Sequence, residues 1–263
     1  SEGYEYSANN WGMYQIYSGN KAKVTVNGGT FMPWDCANGY DLSTATEGTI
    51  VIYGGTFAED PSSQNGINYV AEGYRVIAND NNTFTVEKLP AVAKIGDTEY
   101  LSLANAVEAV QEGETITVLD GTIEEGTIKL PAALKNVRFL GEEGAILKDM
   151  TIMAHDGNSI SYEGLTFEGL TFENSRISIS GWRTNGAVVK DLTITECSFT
   201  KLYDKTNSAP VHFNMDTHEA VNGFTFTDNV IDGATGGAKS GIYIATTGNV
   251  IIKVPTVNTS TGE

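Results

Sequence analysis

Val24-Thr25-Val26-Asn27-Gly28-Gly29-Thr30-Phe31 is the stretch whose reading decides the fold. Alternation with period two puts Val24 and Val26 on one face of a short strand. Asn27-Gly28-Gly29 then turns the chain, because these residues tolerate tight or left-handed backbone. Phe31 returns an apolar side chain to the same side. The block recurs 26 residues later as Ile50-Val51-Ile52-Tyr53-Gly54-Gly55-Thr56-Phe57. Looser copies start at Leu170, Leu192 and Phe224, and Val250-Ile251-Ile252 opens another; these four are spaced by 22, 32 and 26 residues. One copy cannot cover its own apolar face, but stacked copies cover one another. A period of 22 to 32 residues predicts an all-β coil of parallel strands, three short strands to a turn. A β-sandwich would also give many short strands, but not one block repeated in the same phase.

Composition agrees with many short strands joined by turns. Gly supplies 29 of 263 residues, about 11% against a usual 7%. Hydrophobic residues make up 40%, enough for a real core. Acidic residues outnumber basic ones 33 to 16, for a net charge of −17. That balance excludes a nucleic-acid binder, which needs clustered Lys and Arg, and a protein that docks on anionic lipid. No apolar run approaches the roughly 20 residues of a membrane span, so no membrane insertion is expected in this segment. The first ten residues, SEGYEYSANN, have no basic start followed by an apolar stretch. Cys36 and Cys197 are too few for a disulfide framework or a cysteine zinc site. Two reduced, buried thiols are expected, with one long-range disulfide as the alternative. Cys197 stands in the repeat where Ser175 and Asn229 stand, which marks it as a turn or core residue of the stack.

The chain reads as residues 1–61, a partial unit with GGTF repeats; 62–90, a closing segment with a hairpin; and 91–263, a second unit. The hairpin joins Tyr74-Arg75-Val76-Ile77-Ala78 to Thr83-Phe84-Thr85-Val86-Glu87 through an Asx-rich turn. A short strand pair over 95–100 leads into a helix at about 102–111. Ser102 can cap that helix and Gly113 can end it, and Leu103, Ala106, Val107 and Val110 share one side. A short amphipathic helix before the first coil of the second unit is expected to cover the solenoid's open N-terminal end.

The repeated block resembles the right-handed parallel β-helix, the pectate-lyase-like superfold. The GGTF copies, Tyr69-Val70-Ala71-Glu72-Gly73-Tyr74 and the run Tyr100 to Ala109 (YLSLANAVEA) also look like a segment common in large surface proteins of gut bacteria. That likeness implies an extracellular, cell-surface or secreted modular protein, and it implies no enzyme. Both ends then read as cuts through a longer solenoid.

No GxGxxG, GxxxxGK[ST], HExxH, GxSxG or EF-hand series is present. Enzymes of the β-helix family work on polysaccharides along a lateral groove. Lyases of that family use Ca²⁺ with a basic residue, and hydrolases use close Asp residues. Aligning Ile179 with Val211 sets Gly181-Trp182-Arg183 beside Phe213-Asn214-Met215-Asp216, with His212 pointing outward and Tyr243 at the matching place on the next coil. Trp182, Arg183, His212, Asp216, His218 and Tyr243 thus form the candidate ligand-binding face, since aromatic rings with polar neighbours suit sugar stacking. No residue is assigned to catalysis. No cofactor is expected; Ca²⁺ at scattered carboxylate pairs is the one ion that the acidic excess would suit. The favoured reading is a non-catalytic module for adhesion or glycan binding, partnered by a polysaccharide or by a host glycan or protein surface. The alternative is a polysaccharide lyase or glycoside hydrolase, and a weaker one is a trimeric tail-spike-like assembly protein.

Overall fold

The computed structural model describes residues 14–32, 40–45, 47–64, 66–155, 160–181, 188–201, 209–215, 221–232, 241–245 and 250–253. The chain divides into two compact units, 1–90 and 91–263. It is nearly all β, with stacked parallel sheets forming a β-solenoid of about seven turns.

In the first unit the opening block lies on its copy in register. Lys23–Val26 pairs in parallel with Thr49–Ile52, and Thr30–Phe31 with Gly55–Phe57. Val26, Ile50, Ile52 and Phe57 are buried, and the Phe31 and Phe57 rings stack at 4.9 Å. The glycine pair has a physical cause. A Cβ on Gly54 would stand 2.8 Å from the Asn27 carbonyl oxygen, and Gly55 has φ +124°. The hairpin strands Tyr74–Ala78 and Phe84–Lys88 are antiparallel, and the second of them pairs with Gly55–Phe57.

The second unit corrects the expected count: a full turn holds four short strands, not three. The first face stacks Thr115–Val118, Arg138–Gly141, Thr166–Glu168, Thr193–Thr195, Phe224–Thr227 and Val250–Lys253. The second stacks Gly121–Ile123, Ala145–Lys148, Thr171–Glu173, Ser198–Thr200 and Val230–Ile231. The third stacks Thr127–Lys129, Thr151–Met153, Arg176–Gly181, Val211–Met215 and Ile242–Ala245. The fourth stacks Ala133–Lys135, Ser161–Glu163, Val188–Lys190 and Val221–Asn222.

The phase of the repeat also needs correction. Thr193 stands on Thr166, and Ser198 on Thr171, so the copy at Leu170 is one face out of step with the copy at Leu192. The first, second and fourth faces reuse one five-residue unit: inward, outward, inward, outward, left-handed. Leu165-Thr166-Phe167-Glu168-Gly169 is followed at once by Leu170-Thr171-Phe172-Glu173-Asn174, with φ +67° at Gly169 and +44° at Asn174. A block laid over one corner therefore fits the next corner equally well. The inward residues fill the coil, where Phe139 stacks on Phe167 and Phe172 on Phe199, both at 4.8 Å. Such pairs add about 0.5–1.5 kcal/mol beyond area burial.

Two corners carry the same buried polar device. Ser175 Oγ accepts from Met150 N–H and donates to the Leu147 carbonyl, both at 2.8 Å. Asn229 Oδ1 accepts from Cys197 N–H at 2.9 Å, while Nδ2 donates to the Ile194 carbonyl at 2.8 Å. In each case one side chain satisfies two backbone groups of the preceding coil, three residues apart. Cys197 is a free, buried thiol; Cys36 lies outside the described residues.

The helix spans Leu103–Ala109, shorter at both ends than its sequence pattern. Ser102 is its N-cap, accepting at Oγ from Asn105 N–H at 3.1 Å. The Glu125 carboxylate accepts from the N–H groups of Leu103 and Ala104 at 2.6 and 2.9 Å. Leu103, Ala106 and Val107 join the same core as Ile116 and Ile128. Beside them, Ala93–Ile95 pairs antiparallel with both Thr98–Tyr100 and Thr115–Val118, at the start of the first face.

Candidate functional site

The third face differs from the others in what it presents outward. Ile177, Ile179, Val211 and Phe213 alternate inward and are buried. The residues between them, Arg176, Ser178 and His212, lie on the outer side, with Tyr243 on the next coil. Pairing places Ser178, His212 and Tyr243 in one column across three successive coils.

That column is in contact throughout. The His212 and Tyr243 rings stack with centroids 5.1 Å apart and planes 18° apart. Ser178 Oγ lies 3.4 Å from His212 Nδ1 and accepts from Arg176 Nη2 at 3.0 Å. Burial holds the His212 imidazole below its ordinary pKa, and the Arg176 guanidinium pushes in the same direction. The ring is therefore neutral at neutral pH. Its Nε2 bonds nothing among the described residues. Tyr243 is 43% exposed and brings apolar ring surface to the solvent side. Ser178 is only 2% exposed, so its hydroxyl orients the imidazole and is not presented to solvent as a nucleophile.

Of the six residues read from the sequence, His212 and Tyr243 come together; Trp182, Arg183, Asp216 and His218 lie outside the described residues. The alignment behind them shifts by two. Ile177, not Ile179, pairs with Val211, and Gly181 pairs with Met215. The fourth face then pairs Val189 with Val221, so the connection between these two faces is two residues shorter in the later coil. A slip of two keeps the inward and outward sides unchanged, and the match of His212 with Tyr243 on the next coil is in register. Arg176 and Ser178 escaped the sequence reading, although the alternation Arg176-Ile177-Ser178-Ile179 was there to mark both as outward.

Elsewhere the outer positions serve the stack. Arg138 pairs with Glu168, Lys148 with Glu124 at 2.5 Å and Lys201 with Glu173 at 2.6 Å, each joining adjacent coils. Thr195 and Thr227 hydroxyls meet at 3.2 Å. Among the described residues no group of three or more His, Cys, Asp or Glu could hold a metal ion, and no helix is long and apolar enough to cross a membrane. Compared with protein-family models, curated proteins and solved structures, the chain matches none.

Proposed function

We propose that the chain is a non-catalytic, glycan-binding module of an extracellular bacterial surface or secreted protein, built on a right-handed β-helix of the pectate-lyase-like kind. The observation that carries this reading is the His212–Tyr243 stack beside Arg176 on one solenoid face. The half-exposed tyrosine ring offers apolar surface to sugar C–H groups. His212 Nε2 offers a hydrogen bond to a hydroxyl, and the Arg176 charge beside it favours a carboxylate. Strands hold these groups more rigidly than a loop would. The right-handed winding is supported by the general preference of parallel crossovers, about 98% of which are right-handed. Burial of the helix against the first coil, with an antiparallel strand along that coil's edge, supports a role as its N-terminal cap. The GGTF copies and the segment from Tyr69 to Tyr74 support the bacterial surface location.

The test is a glycan array followed by calorimetry on the hits, using the wild-type chain, His212→Ala and Tyr243→Ala. Reducing-sugar and ultraviolet lyase assays run on the same polysaccharide panel. Binding without turnover, weakened at least tenfold in both variants, is the expected result. Turnover abolished by Asp216→Asn would replace this reading with a lyase or hydrolase. Binding that neither substitution alters would remove the site from this face.

A further inference from the structure

The first unit carries a second recognition feature, on residues distinct from those of the third face of the second unit. Its strand Tyr74–Ala78 is the edge of a four-stranded sheet and, among the described residues, pairs only with Phe84–Lys88. The pairing tells which backbone groups stay open. Leu89 N–H donates to the Gly73 carbonyl at 2.9 Å, and Asn79 N–H to the Thr83 carbonyl at 2.7 Å. Hydrogen-bonded pairs recur at every second residue of an antiparallel ladder. Arg75 with Glu87 and Ile77 with Thr85 are therefore the bonded pairs between those two. The N–H and C=O groups of Val76 and Ala78 face away from the hairpin, along the open edge.

A cleft of about 450 Å³ lies on this edge. It is lined by the strand itself, through Tyr74, Val76 and Ala78, and by Asp60, Asn68 and Glu72. Its charge is one-sided. Arg75, the cation at the cleft, is held by Glu87 through Nε at 2.9 Å and Nη2 at 2.6 Å. Asp60 Oδ1 accepts from the Ser62 N–H and hydroxyl at 2.8 and 2.6 Å, which fixes the carboxylate and leaves Oδ2 to a ligand. Glu72 forms no ion pair among the described residues.

We infer that this cleft binds an extended basic peptide, which adds as a further strand on the Tyr74–Ala78 edge and directs a Lys or Arg side chain to Asp60 and Glu72. Main-chain pairing supplies affinity in this mode, and the carboxylates supply selectivity. A second copy of the chain is a poor occupant, because each copy carries a net charge of −17. A small organic cation would use the carboxylates but not the free backbone.

The test uses the full chain and a fluorescein-labelled hexapeptide of alternating Val and Lys, read by fluorescence anisotropy. Three further peptides accompany it: one with Glu in place of Lys, one with the Lys amides N-methylated, and one with the Val amides N-methylated. Saturable binding of the Lys peptide is expected, with none for the Glu peptide. N-methylation of the set of amides that faces the edge should weaken binding at least tenfold, and so should Asp60→Asn combined with Glu72→Gln. Circular dichroism checks that the double variant keeps its fold. His212→Ala with Tyr243→Ala should leave this binding unchanged, which separates it from the glycan site. Absence of saturable binding at millimolar peptide overturns the inference. Equal binding of all N-methylated forms, matched by 1,5-diaminopentane, also overturns it and leaves a small-cation site in its place.

Discussion

Asn229 is the sharpest probe of how the coils are joined. Its side chain is 3% exposed and satisfies Cys197 N–H and the Ile194 carbonyl together. Asn229→Ala removes both partners at once. Water cannot easily replace them, because Cys197 and Ile194 are themselves buried. The Cys197 N–H is then unpaired, while the Ile194 carbonyl keeps its ladder bond from Thr227 N–H. One buried group left unpaired costs about 1–3 kcal/mol, and the variant should lose about that much. Urea denaturation followed by far-ultraviolet circular dichroism measures the total. Hydrogen exchange of the Cys197 amide locates it, and exchange there should accelerate at least tenfold. Ser175→Ala removes the equivalent pair, Met150 N–H and the Leu147 carbonyl, and should behave alike. Asn229→Asp keeps the acceptor but points a carboxylate oxygen at the Ile194 carbonyl, so it should be no better than alanine at neutral pH. If Asn229→Ala lies within about 0.5 kcal/mol of wild type, the range of an ordinary surface substitution, the corner bonds do not hold the coils and the reasoning fails.

Other outcomes follow from single contacts. Gly223 has φ +79°, and a Cβ there would fall 2.2 Å from Asp191 Oδ1. Gly223→Ala should destabilise by roughly 1–3 kcal/mol, and adding Asp191→Gly should recover the steric part but not the left-handed backbone cost. Burial pushes the Cys197 thiol up to about 12, so iodoacetamide at pH 8 should label it only in denaturant, as read by peptide mass spectrometry. The His212 pKa is lowered, first by burial and then by Arg176. The unfolded chain therefore binds this proton at a higher pH than the folded one, and stability from His212 falls as pH drops below about 6.5. An NMR titration of its ring should show a midpoint below that value, moved upward by Arg176→Gln.

The stacking of one strand block on another was legible from the first eight residues discussed, because Val26 and Ile52 need covering and Gly28-Gly29 and Gly54-Gly55 need a turn at the same place. The number of strands per turn was not. Leu165-Thr166-Phe167-Glu168-Gly169 and Leu170-Thr171-Phe172-Glu173-Asn174 are nearly the same unit, so sequence likeness cannot tell two neighbouring faces from two neighbouring coils. Only the pairing of Thr166 with Thr193 decides it. Parity, by contrast, survives such errors. Setting Ile179 on Val211 was two residues wrong yet left His212 on the outward side, and the match of Val211-His212-Phe213 with Ile242-Tyr243-Ile244 was in register. Arg176 and Ser178 lay in the same alternation, but nothing in their spacing tied them to His212 until the register was known.

The uniformity of the scaffold is what gives the third face its meaning. A five-residue unit leaves two outward positions per face, and stability asks little of them beyond β propensity and cross-coil pairing. On the first face those demands are met by Thr166, Thr193 and Thr225, by Thr195 on Thr227, and by Arg138 with Glu168. An imidazole with a depressed pKa meets them less well than threonine does, and a tyrosine with 43% of its surface in water adds little to the core. Replacing both by threonine should therefore leave the solenoid at least as stable while abolishing glycan binding. Thermal melts and calorimetry on His212→Thr with Tyr243→Thr measure the two quantities on one sample. A stable variant that still binds its glycan would mean that these rings are scaffold after all. A variant that loses both would mean that the stack holds the third face together, and that Ser178 and Arg176 depend on it.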